Sequence, residues 1–169
     1  MLGTKLGHGE PEGGCEWSGR VWDGLAVGWE RQVGIAHEWG HYIQNRLVGN
    51  ANGLVNFQGR AMGEGWSDFH ALMFMLRESH SLIEGNGSFE SGYTVSTHVA
   101  NFTNSVRRAP YTVDMATNPL TFTHIQDGAQ PDGLSPTSNG SPHAAGEMWA
   151  SVLWDVYVRL LNTYDFDEA

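Results

Sequence analysis

His37-Glu38-Trp39-Gly40-His41 is the stretch of this sequence whose residue types and spacing most plainly suit chemistry. Residues four apart on an α-helix share a face, so both imidazoles can point at one cation. Glu38 lies one step round the same turn. That puts a carboxylate beside the ion, where it can take a proton from a metal-bound water. The ordinary alternative is two surface histidines on an exposed helix. Ala36 and Gly40, part of an apolar stripe beside them, argue against it.

A catalytic zinc usually takes three protein ligands and a water. The metzincin pattern requires Gly three residues after the second His and another His six after it. Gln44 and Leu47 stand there instead, which excludes that class. The other source is a glutamate on a following helix, and Met62-Gly63-Glu64-Gly65-Trp66-Ser67-Asp68 offers Glu64. Asp68, four residues on, can accept a hydrogen bond from the far ring nitrogen of a zinc histidine, fixing the ring and raising its basicity. Two acids near a helix N-terminus are also ordinary helix-end residues. After an H-E-x-x-H helix, the ligand reading of Glu64 is preferred.

These residues need elements to carry them. Val33, Ala36, Gly40, Ile43 and Leu47 recur at helical intervals and predict a helix over 29–48, stopped by Gly49-Asn50. Residues 50–60 read as a turn-rich connection. A second helix is predicted over 64–78, with Phe69, Leu72, Met73 and Leu76 on one side. Residues 81–97 carry no clear period, 98–106 read as a short helix, and Ala109 to Pro142 as loop. A third helix is predicted from Pro142 to Leu161. Ser141 would be its N-cap, and Ala145, Trp149, Val152, Val156 and Leu160 its buried stripe.

Composition narrows the function classes. A chain of 169 residues can bury one sizeable core. Few charged residues, 22 glycines, seven Trp and seven Phe suggest loop-rich globular structure rather than disorder. Nine basic against 19 acidic residues give a formal charge of −10, which repels phosphate backbones, so nucleic acid is not an expected partner. The acidic balance also suits Ca2+, although no D-x-D-x-D-G loop is present. A single cysteine, Cys15, cannot form an internal disulfide. No apolar run is long enough to span a membrane, and the first residues lack the apolar region of a signal peptide. A membrane is therefore not an expected partner either.

Four blocks follow one another: HEWGHYIQNRLVGN, MGEGWSDFHALM, RRAPYTVDMATNPLTFTHI and HAAGEMWASVLWDVY. In them the sequence resembles the fungalysin family of zinc metallopeptidases. These are thermolysin-like gluzincins, secreted endopeptidases made with an inhibitory propeptide. The resemblance implies an α+β zincin fold, helix-dominated in the portion present. It implies Zn2+ on His37, His41 and Glu64, with Glu38 as general base and Asp68 bonded to His37. His143, which alone would read as an exposed first-turn histidine, falls where gluzincins stabilise the tetrahedral intermediate. Arg107 or Arg108 corresponds to an arginine that binds a substrate carbonyl, with Arg107 preferred. Implied partners are polypeptide substrates and a propeptide, and the implied location is extracellular.

Residues 1–28 form a weakly patterned segment and 29–169 the catalytic core. That core is expected to be incomplete, because the family places a whole sheet subdomain before the metal helix. Few strands, an open metal site and exposed apolar residues near the N-terminal segment would follow. Two rival readings are a zinc-binding homologue without efficient catalysis and a helical interaction module in which the motif is accidental.

Overall fold

The computed structural model describes residues 26–97, 105–126, 128–129, 131, 133–134, 141–164 and 166, with side chains from residue 32 onward. Helix α1 spans Ala26–Leu47, α2 Phe57–Met75 and α3 Pro142–Leu161; short 3-10 turns occupy Glu78–Leu82 and Phe122–Ile125. Helix α2 is central and packs against both α1 and α3. Among the described residues the strand-like pairing is an isolated antiparallel bridge, Tyr93 with Tyr111. The helix-dominated expectation fits this architecture, while the α+β zincin fold as a whole is more than three helices display. The segment 1–28 lies outside the described residues except for its last three, which open α1. The helix expected over 98–106 falls largely outside them too, and residues 105 and 106 are not helical.

Helix α1 stops where a stop was expected. Gly49, Asn50 and Ala51 all adopt positive φ (60°, 57° and 70°), a conformation that cannot continue a right-handed helix. Helix α2 starts seven residues earlier than expected. Asn56 is its N-cap, accepting a hydrogen bond from the Gly59 N–H at 2.6 Å. Gly59 and Gly63 disguise this first part, since each glycine costs a helix about 1 kcal/mol relative to alanine. Glu64 therefore stands about two turns inside α2 and is not a helix-end acid.

Helix α3 has the expected bounds but a different buried face. Ala144 to Met148, Ala150, Trp154, Val158 and Leu161 are buried, whereas Val152, Val156 and Leu160 of the expected stripe are exposed. Apolar residues surround most of this helix, so periodicity alone cannot choose its inner face. Trp154 decides it. Its indole is fully buried against Tyr93, with ring centroids 4.9 Å apart, in a core shared with Leu72, Leu76, Val95 and Tyr111. Leu47 and Met73, also placed on expected stripes, are exposed. So are Ile35, Trp39 and Phe74, which line an apolar groove between α1 and α2.

Glycines bring the helices into backbone contact. A Cβ on Gly65 would lie 2.5 Å from the Gly146 carbonyl oxygen; one on Gly146 would lie 2.6 Å from the Ala61 carbonyl oxygen and 2.7 Å from Glu64 Cβ. A Cβ on Gly40 of α1 would lie 2.8 Å from Ser67 Cα of α2. Glycines that composition assigns to loops thus act here as helix-packing residues. Gly146→Ala should force α2 and α3 apart and cost about 1–3 kcal/mol. Gly87→Ala, where the nearest atom is 3.9 Å away, should change stability by no more than about 0.5 kcal/mol. Chemical denaturation of both variants measures the contrast. Equal midpoints would refute the close-approach role.

Candidate metal centre

The α1/α2 contact brings three donor side chains together. His37 is 9% exposed, and its Nε2 lies 3.1 Å from His41 Nε2 and 3.4 Å from Glu64 Oε2. His41 Nε2 lies 3.4 Å from Glu64 Oε1. A tetrahedral site with bonds of about 2.0–2.1 Å has donor–donor edges of about 3.3–3.4 Å, so these separations are of the right size. The chemistry fits as well: two imidazole nitrogens and one carboxylate form a donor set that catalytic zinc takes, leaving a position open. Among the described residues this is the one group of three His, Cys, Asp or Glu close enough to share an ion. Calcium, which takes six to eight oxygens, finds no support in it.

Cross-braces hold the two donor-bearing helices in register. Gln44 Nε2, one turn past His41's neighbour Gly40, donates to the Gly63 carbonyl at 3.1 Å and to Ser67 Oγ at 3.1 Å. These bonds flank Glu64 on α2. Gly40 leaves room for Ser67 at the same crossing.

Asp68 sits behind the donors. Its side chain is fully buried, a position a carboxylate tolerates only with partners. His37 Nδ1 donates to Oδ1 at 2.8 Å, Arg107 donates from Nε to Oδ2 at 2.6 Å and from Nη2 to Oδ1 at 2.9 Å, and the Tyr111 hydroxyl donates to Oδ2. Burial works to raise the Asp68 pKa, but the His37 bond and the Arg107 charge outweigh it and hold the acid ionised. For His37, burial works against the charged ring. Its bonds to Asp68 and Glu64 outweigh that, and its pKa is pushed up to about 9. Glu64 is likewise desolvated, yet His37, His41 and His143 hold its carboxyl well below the usual range. Arg107 Nη2 also reaches Glu64 Oε2 at 3.3 Å, so one guanidinium bridges both acids of α2.

The remaining residues singled out by sequence fall in different places. His143, in the first turn of α3, has a 61% exposed side chain with Nε2 3.3 Å from Glu64 Oε1. Glu38 is exposed on α1 beside His37. Arg107 and Arg108 are separated by the structure: the first turns to Asp68 and Glu64, the second to Glu147 and the Ala144 carbonyl on α3. Tyr111 and Gln44 were not legible as site residues. Gln44 looks like a surface position of a helix. Tyr111 lies 43 residues from Asp68, and no local spacing signals such a contact.

The chain matches the fungalysin metallopeptidase (M36) family over residues 28–169. It is 32% identical over 133 residues to extracellular metalloproteinase 2 of Trichophyton tonsurans, covering 77% of this chain and 18% of that protein. To extracellular metalloproteinase mep of Aspergillus fumigatus it is 31% identical over 138 residues, covering 80% of this chain and 19% of that protein. The chain thus spans less than a fifth of the length of these relatives. It belongs to the fungalysin family, and membership in a metallopeptidase family implies a bound metal, usually zinc. No helix among the described residues is long and apolar enough to cross a membrane.

Proton linkage gives a direct test of the donor set. In the metal-free protein His37 keeps its proton up to about pH 9, and a metal must displace that proton to bind. Apparent zinc affinity should therefore rise with pH toward about pH 9 and then level. Asp68→Asn should move the levelling point to lower pH and weaken affinity about 10- to 100-fold on the plateau. Competition against a chromophoric chelator across pH 6 to 10 reads both effects. A profile identical in parent and variant would contradict the Asp68–His37 coupling.

Proposed function

We propose that this fungalysin-family chain carries the catalytic centre of a zinc-dependent endopeptidase. The observation that carries the reading is the convergence of His37, His41 and Glu64 on one point, with Asp68 behind His37 and His143 beside Glu64. His37, His41 and Glu64 would hold the zinc, which when bound supplies Lewis acidity and a water of lowered pKa.

The chain's own residues would do the rest. Glu38, one position from His37 and open to solvent, acts as general base. It takes the proton of the attacking water and delivers it to the leaving amine. Asp68 keeps the His37 ring in the tautomer whose Nε2 lone pair faces the ligand site. His143 donates a hydrogen bond to the oxyanion that develops on the scissile carbonyl. Arg107 helps His37 hold Asp68 ionised and also reaches Glu64. A substrate carbonyl contact by Arg107 would use the part of its guanidinium not turned to those carboxylates. Polypeptides are the proposed substrates, and an inhibitory propeptide and an extracellular location belong to the same reading. The relatives named above are extracellular metalloproteinases by name.

Two substitutions separate binding from chemistry. Glu38→Gln should retain one zinc per chain and lose about 10²- to 10⁴-fold in turnover. His143→Ala should retain zinc and lower kcat/KM, because its interaction is made mainly in the transition state. Glu64→Ala should instead lose zinc. Metal analysis with cleavage of a denatured protein substrate, with and without chelator, distinguishes the three. Release of zinc by Glu38→Gln would overturn the roles. A chain that holds zinc stoichiometrically and cleaves nothing would be the non-catalytic zinc-binding form.

A further inference from the structure

An exposed histidine gets little of its position from packing. His143 has a 61% exposed side chain, with Ser141 Oγ 3.4 Å from its Nδ1 and Glu64 3.3 Å from its Nε2. Its place must come from the helical turn that carries it. Glu147 lies four residues on, at the position one turn below His143 on the same helical face. Its carboxylate accepts the Arg108 backbone N–H at 2.9 Å and Arg108 Nε at 2.6 Å. Arg108 Nη2 donates to the carbonyl of Ala144, the residue next to His143, at 2.8 Å. The two side chains are 2% and 4% exposed, so water does not compete for these bonds. The preceding residue, Arg107, reaches Asp68 and Glu64 on α2. Two consecutive arginines thus grip the ligand-bearing helix with one side chain and the first turn of α3 with the other.

We infer that Glu147, acting through Arg108, is a positioning residue for His143. It locks the first turn of α3 at the distance from Glu64 that the reaction requires. The inference rests on the peptidase reading above. It differs from a role in stability alone, because a buried ion pair can often be exchanged for apolar side chains of similar size with no loss of stability. Directional bonds to the Ala144 carbonyl and the Arg108 backbone specify where the turn lies, and apolar side chains cannot.

The test is the double variant Arg108→Met with Glu147→Met, in zinc-loaded protein, alone and combined with His143→Ala. The expected result is full zinc content and little change in KM. Turnover should fall about 10- to 100-fold, the size of effect that a small displacement of a catalytic group produces. Adding His143→Ala should then lower kcat no further than His143→Ala does alone, since the clamp acts through that histidine. Turnover within about twofold of the parent, or losses that multiply, would overturn the inference. Should the apolar pair unfold, Glu147→Gln, which keeps the side chain's shape, carries the same cycle with the same outcomes. If the parent cleaves no peptide, the peptidase reading fails and a second readout decides positioning. Nuclear Overhauser contacts between the His143 ring and Glu64 should be present in the parent and lost in the variant. Their persistence in the variant would overturn the inference.

Discussion

A carboxylate buried from water constrains the rest of this structure. Asp68 has no exposed side-chain surface, and leaving its charge unpaired there would cost about 3–5 kcal/mol, a large part of the stability of a typical domain. It persists because three groups from two other segments close around it: His37 from α1, and Arg107 and Tyr111 from the chain between α2 and α3. Each partner gains something in return. His37 is fixed in orientation, with its other nitrogen turned to His41 and Glu64. Arg107 is held where it also meets Glu64. That second contact matters, because Glu64 and Asp68 are four apart on one helix and would repel each other without a cation between them.

The constraint has a steric counterpart. Donor side chains on separate helices converge only if the helix axes approach closely, and α2 is lined for this on both sides. Ser67 meets Gly40 of α1, and Gly65 meets Gly146 of α3. With Asn56 capping its start, α2 presents Glu64 and Asp68 toward α1 and Arg107. Its opposite contact carries α3 and therefore His143. Packing and electrostatics act together here: loosening either helix crossing would separate donors that the buried charges require to be near.

The candidate metal group was more legible in the sequence than the packing around it. H-E-x-x-H announces two imidazoles because helix geometry converts a spacing of four into a shared direction, and G-E-G-W-S-D follows with an acid pair at the same spacing. Local periodicity was less reliable for faces. Helix α3 is apolar on most of its surface, so its inner side depends on where Trp154 finds Tyr93 and Leu72, a contact between distant segments. The start of α2 was hidden for a related reason. Gly59 and Gly63 argue against a helix locally, and the packing that admits them is not written in their neighbourhood. Tyr111, Gln44 and Glu147, the partner of Arg108, were not legible because each acts across a large sequence separation. No pattern along the chain distinguishes them from ordinary surface or core residues.

Two imidazoles and one carboxylate are the proposed ligands of the metal, and X-ray absorption at the zinc edge of the loaded protein observes them. The expected spectrum has a nearest shell of nitrogen and oxygen only, at about 2.0–2.1 Å, with the outer-shell scattering of two imidazoles. In His41→Ala that scattering should fall to one imidazole. A sulfur at about 2.3 Å, or a shell of oxygens without imidazole scattering, would rule out this ligand set.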